Sequence, residues 1–137
     1  MRRRYPAIVA TTTLPRIVRY LGKRDDGDGA VCPHCGSGGR YIHSVLLENG
    51  TRIGAMAGCI QLFPMAPIAR EEMRLRGKEA DYAKRDWSLP SWDLRMLAAI
   101  ERFYTGELTE WQALAIVQDE KRAAQVWREQ RRQRRST

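Results

Sequence analysis

"VCPHCGSGGRYIHSVLLENGTRIGAMAGC", residues 31–59, holds all three cysteines and both histidines of a 137-residue chain. The fold follows from how this stretch is read. It opens on Cys32-Pro33-His34-Cys35 and a glycine-rich run, Gly36-Ser37-Gly38-Gly39. Two β-prone runs, "RYIHSVLL" (40–47) and "TRIGAMAG" (51–58), then flank Glu48-Asn49-Gly50. Asn-Gly between such runs marks a hairpin, because both central positions of a tight type I′ turn want φ > 0. With Asn49 and Gly50 as a two-residue loop, Leu46 faces Ile53, Ser44 faces Ala55 and Ile42 faces Ala57.

Two chemistries compete for the cysteines. Cys-Pro-His-Cys is identical to the active-site tetrapeptide of the periplasmic disulfide oxidases of the thioredoxin fold. That resemblance implies a thiol–disulfide oxidoreductase whose first Cys sits at a helix N-terminus as a thiolate. The residues around it speak against this reading: each glycine after Cys35 would cost a helix ~1 kcal/mol, and no βαβ pattern precedes the motif. The alternative uses every unusual residue. Cys-Pro-x-Cys-Gly resembles the zinc knuckle of zinc-ribbon and treble-clef modules, in which a tight turn aims two thiolates at one ion and a hairpin separates the ligand halves.

Zinc takes four tetrahedral ligands. Cys32 and Cys35 supply two, and His43 and Cys59 are the expected others, with His34 as the alternative to His43. Cys59 opens a helical segment, where the helix dipole favours a thiolate. In the two-residue register Cys59 projects away from His43, so the strand must end or bulge near Gly58. Four protein ligands leave no position open for water, so Zn²⁺ is expected to be structural. A zinc deaminase would need a His-x-Glu with its paired Pro-Cys-x-x-Cys, and no carboxylate stands beside His43 as a general base. No enzymatic activity is expected.

Outward from this core the signals are coarser. On the amino-terminal side a short strand is expected near 7–12, a turn or short helix near 15–21, and a solvated loop over "GKRDDGDGA" (22–30), whose aspartates lack EF-hand spacing. On the carboxy-terminal side helices are expected over 67–87, 90–106 and 110 to about 133. Ser91 is the expected N-cap of the second and Gly106 its stop, and Thr109 with Gln112 forms a capping box for the third. Trp87, Trp92, Trp111 and Trp127 are expected in the core. The resulting picture is α+β: a basic amino-terminal arm with a short strand and helix (1–30), a zinc knuckle with a treble-clef-like β-hairpin (31–63), and a region of about three helices with a basic end (64–137).

The charge is concentrated at the two ends. The chain carries +8 overall. Residues 1–30 set seven Lys/Arg against three Asp, and residues 128–137 set five Arg against Glu129, so each segment is +4. Residues 31–63 are +1 and 64–127 only −1. Arg2, Arg3, Arg4, Arg128, Arg131, Arg132, Arg134 and Arg135 are therefore candidate phosphate contacts on DNA or RNA. The expected function is a nucleic-acid-binding accessory or regulatory factor. The alternative is an adapter whose C-terminal helices dock a protein partner or a second copy. No window has the ~18 apolar residues of a membrane span, Thr11–Thr13 and Pro15 interrupt any signal-like run, and an odd number of cysteines points to a reducing cytoplasm.

Overall fold

The computed structural model describes residues 14–136. The expected strand at 7–12 and the cations Arg2, Arg3 and Arg4 lie outside them. The elements in chain order are β1 (Ile17–Val31), β2 (Gly38–Leu47), β3 (Arg52–Ala55), α1 (Ala57–Ile60), α2 (Pro67–Lys84), α3 (Ser91–Tyr104) and α4 (Glu110–Ser136). The class is mixed α and β: one three-stranded antiparallel sheet in the order β1-β2-β3, followed by helices. The chain divides into two compact units, with the boundary between Met73 and Arg74.

In the first unit β1 is the main departure from expectation. The segments expected as a turn or short helix (15–21) and a solvated loop (22–30) contribute instead, from Ile17 onward, one long irregular strand against β2. The polar run is held in the sheet by a specific pairing. Arg40 on β2 donates from Nε and from an Nη to the two oxygens of Asp25, both at 2.9 Å, and reaches Asp28 at 3.4 Å. Such a fork is among the stronger polar contacts available to a surface. Asp25 also accepts from the Gly27 N–H at 2.9 Å, which closes an excursion that lets the register resume at Ala30↔Gly39. Gly22 and Gly27 both have positive φ, 115° and 79°, at the irregularities where other residues would be strained.

The hairpin β2–β3 forms, one residue out of the expected register. Leu47 and Thr51 close a three-residue loop, Glu48-Asn49-Gly50, with Gly50 at φ 86°. This is the arrangement in which a type I turn precedes a left-handed glycine. The pairs are therefore Leu46↔Arg52, Val45↔Ile53, Ser44↔Gly54 and His43↔Ala55. The strand ends at Ala55 and α1 begins at Ala57, so no Ile42–Ala57 pair exists. Beneath the sheet Ile17, Ile42, Val45, Ile60 and Ile68 are buried. Glu72, only 2% exposed, accepts the Tyr20 N–H at 3.0 Å and lies 3.7 Å from Arg19, anchoring β1 at one of its irregularities.

In the second unit Leu75, Met96, Ile100 and Val117 form the core. Asp86 at φ 55° terminates the helical run before α3, with the Trp87 N–H returning to the Tyr82 carbonyl at 2.9 Å. Pro90, not Ser91, is the N-cap of α3. Gly106 at φ 87° ends α3 as expected. The capping box is present: Thr109 N–H to Gln112 Oε1 at 2.9 Å and Gln112 N–H to Thr109 Oγ1 at 3.1 Å. The seam of α4 is Ala113, Val117 and Ala124. Small residues at this spacing admit close approach, and the tryptophans stand aside: Trp111 is 78% exposed, and Trp87 and Trp127 are also exposed. The expected tryptophan core is corrected for these three, while Trp92 is half-buried. Among the described residues no helix is long and apolar enough to cross a membrane.

Candidate metal centre

Cys32 follows the last residue of β1, and the chain turns at once. Its N–H donates to the Ser37 carbonyl at 2.8 Å, and the Gly36 N–H returns to the Cys32 carbonyl at 2.9 Å. Gly36 adopts φ 75°, a conformation that side chains resist. This turn folds Cys35 back beside Cys32. Cys59 arrives from α1, which the hairpin delivers to the same place. Three sulfurs, Cys32, Cys35 and Cys59, consequently lie within 4.8 Å of one another, and this is the only such cluster of potential ligands among the described residues.

The spacing tests the fit to a metal. For ~2.3 Å zinc–sulfur bonds at the tetrahedral angle, two sulfurs stand ~3.8 Å apart. Cys32 Sγ and Cys59 Sγ are 3.8 Å apart. All three cysteines are free, and a disulfide would bring a pair to ~2.05 Å. The surroundings treat the three sulfurs differently. The Met56 N–H donates to Cys32 Sγ at 3.3 Å. Ser37 Oγ lies 3.2 Å from Cys35 Sγ, and its hydroxyl and backbone N–H hold the Cys35 thiol down to about 6. Burial, reinforced by the two neighbouring sulfurs, pushes Cys59 up to about 12. One thiol of the trio thus ionises readily while another resists until a cation offsets the crowding of charge.

The two histidines stand differently from the cysteines. His43 is not among the clustered ligands. It sits on β2 opposite Lys23 and Ala55, with Nδ1 2.9 Å from the Tyr20 hydroxyl. Burial pushes the Tyr20 phenol up to about 12, so the hydroxyl keeps its proton, and the His43 tautomer decides which of the two groups donates. Burial and then Lys23 hold the His43 imidazole below its ordinary range, which favours the neutral ring. His34 lies exposed in the knuckle, its ring edge-on to Phe63 at 5.8 Å.

The motif lacks the helix that follows it in a dithiol oxidant. Cys32 is 2% exposed, and Cys35 leads into a turn and then β2 rather than a helix, whereas a dithiol oxidant presents an accessible thiolate at a helix N-terminus. Sequence reasoning missed Ser37, Met56 and Tyr20. Ser37 had a signal, a hydroxyl two residues past the second knuckle cysteine; Met56 acts through its backbone, which no side-chain pattern reveals. Arg128, Arg131, Arg132, Arg134 and Arg135 lie together on the exposed end of α4. No family model, curated protein or solved structure matches the chain.

Proposed function

We propose that this chain is a zinc-stabilised nucleic-acid-binding accessory factor in which Cys32, Cys35 and Cys59 hold Zn²⁺ and the basic segments contact phosphates. The observation that carries the metal half is the 3.8 Å separation of Cys32 and Cys59 sulfurs within a three-thiol cluster. Zinc would supply cross-linking of the knuckle to α1, and in that role it is folding energy rather than chemistry. A fourth ligand completes the tetrahedron. His43 stands outside the cluster and would have to bring Nε2 to the ion, and His34 would have to turn from Phe63.

The nucleic-acid half rests on α4. Ala124 is its last buried residue, and 125–136 are all exposed. Twelve helical residues extend about 18 Å past Ala124, the first of them still meeting Trp92 through Trp127 and Arg128. This projection carries five arginines and one glutamate, a composition suited to a polyanion. A protein-docking adapter is the second reading, favoured by Trp111 and Leu94, exposed at 78% and 52%. Fluorescence anisotropy with random duplex and single-stranded oligonucleotides across a salt series separates the two. Phosphate contact gives an affinity that falls steeply with salt. Absence of binding at ~50 mM salt removes the nucleic-acid reading and leaves the adapter.

A further inference from the structure

At the metal centre the chain's own donors run short. We propose that the fourth ligand of Zn²⁺ at Cys32, Cys35 and Cys59 comes from outside the chain, at a solvent-facing position beside Cys35 that holds water and exchanges it for a neutral nitrogen donor such as an imidazole. This inference rests on the zinc reading above, and it replaces the closed four-ligand site expected from the sequence with an open one.

Proteins bind zinc through the side chains of Cys, His, Asp and Glu. Residues 1–13 and 137 contain none of these, so every such side chain belongs to the described residues. Only the three sulfurs gather within 4.8 Å of one another. A nitrogen or carboxylate oxygen on the same tetrahedral ion would stand ~3.6 Å from each sulfur, and neither histidine nor any of the 16 Asp and Glu joins the group. Each histidine also has contacts of its own. His43 is fixed in register between Lys23 and Ala55, with Nδ1 2.9 Å from the hydroxyl of Tyr20, a residue only 4% exposed. His34 directly precedes Cys35 in a turn closed by the Cys32–Ser37 and Gly36–Cys32 backbone hydrogen bonds, and its ring lies against Phe63. Burial indicates which corner of the tetrahedron is left. Cys32 and Cys59 are 2% and 0% exposed, whereas Cys35 is half-buried and its neighbours Pro33, His34 and Gly36 are exposed. The interior takes two corners, and the fourth lies on the solvent side with Cys35. Charge selects the donor. Three thiolates on a divalent cation leave −1, and the hydrogen-bond partners of the sulfurs include the Met56 N–H at 3.3 Å and the Ser37 hydroxyl at 3.2 Å, both neutral. A fourth thiolate would bring the centre to −2 beside two buried sulfurs, which is costly, whereas water or imidazole adds no charge. Three protein ligands with water in the fourth position is the arrangement of zinc sites that exchange a ligand.

Ligand type and geometry are diagnostic of a transition-metal site, and Co²⁺ in place of zinc reports both through its visible d–d bands. Free imidazole titrated into the cobalt-loaded full chain should shift these bands saturably. His34→Ala and His43→Gln should each give the wild-type starting spectrum and the same titration. X-ray absorption at the zinc edge should show three sulfurs and one oxygen before imidazole is added, and the scattering pattern of an imidazole ring only afterwards. Bands unmoved by imidazole overturn the proposal. So does ring scattering already present in the wild type and lost in either histidine variant, because a histidine then fills the fourth position, and so does a fourth sulfur. Each of these outcomes leaves the three-thiol metal site standing. A full chain that takes up neither Co²⁺ nor Zn²⁺ removes the zinc reading itself and this inference with it, so the two failures are told apart.

Discussion

Consider the projecting end of α4 with Arg131, Arg132 and Arg135 all replaced by Gln. Each residue of a helix turns ~100°. Measured from Arg128, Arg131 lies at about −60°, Arg132 at +40° and Arg135 at −20°, so the four share an arc of ~100°. Arg134 falls about 60° beyond its edge. Two members are held by rings: Arg131 lies 5.2 Å from the Trp127 ring and Arg128 6.0 Å from that of Trp92. A duplex lying along this edge meets four arginines, and each phosphate neutralised contributes ~0.9 to the log–log salt slope. The edge therefore supplies a slope of about −3.6, and raising salt fourfold weakens binding about 150-fold. The triple variant keeps only Arg128, and the same salt change costs its edge about 3.5-fold. The slope difference between wild type and variant should be about 2.7, whatever other segments add to both. Arg134→Gln alone should change the slope far less than any member of the arc. The measurement is anisotropy of a labelled random duplex from ~50 to ~200 mM salt. Identical slopes for wild type and triple variant, or a larger effect from Arg134 than from Arg132, would refute a one-sided phosphate edge.

Three further outcomes are expected. Purified protein should carry about one zinc per chain by elemental analysis, with Cys32→Ser and Cys59→Ser each losing it and the fold of the first unit together, since metal affinity here is folding energy; a metal-free protein with an oxidisable Cys32–Cys35 pair would restore the oxidoreductase. Glu72→Ala should cost about 2–4 kcal/mol in urea unfolding, combining an orphaned Tyr20 N–H with lost methylene burial, whereas Glu72→Gln keeps an acceptor and should cost about 1 kcal/mol; equal losses would show that the hydrogen bond is not what matters. His43 is held below its ordinary pKa, so the unfolded chain takes up a proton near ~6.5 that the folded one refuses. Stability should accordingly fall as pH drops through that value, by more in wild type than in His43→Gln, with metal-linked losses common to both; parallel pH profiles would contradict this.

What could be read from the sequence was local. The knuckle turn, the existence of the hairpin, the Thr109–Gln112 box and the Gly106 stop each depend on residues a few positions apart, and their types carry the geometry. The strand over 17–31 does not. "GKRDDGDG" is loop-like by composition, and it becomes strand because Arg40, fifteen residues from Asp25, clamps it. The hairpin register turned on whether Asn-Gly acts as a two-residue loop or as the end of a three-residue one, and both are chemically open to the same letters. That single step settles the partner of His43 and where the chain leaves the sheet for Cys59. Trp87, Trp111 and Trp127 misled because size suggests burial, while α4 packs through Ala113, Val117 and Ala124 instead.

The three-residue turn at Glu48-Asn49-Gly50 has a kinetic side. Cys32 and Cys59 are 27 residues apart, and closing a loop of that length at random costs about 3 kcal/mol of chain entropy. Hairpins zip in about 1–10 μs, and the zipping of β2 against β3 delivers Cys59 to the knuckle without that search. In the proposed zinc-bound chain, metal capture would then be the last event of folding of this unit rather than its nucleus. A substitution such as Gly50→Val, strained at φ 86°, would therefore slow the rate at which the apo chain acquires zinc while leaving the rate of zinc release, governed by the sulfurs themselves, nearly as before.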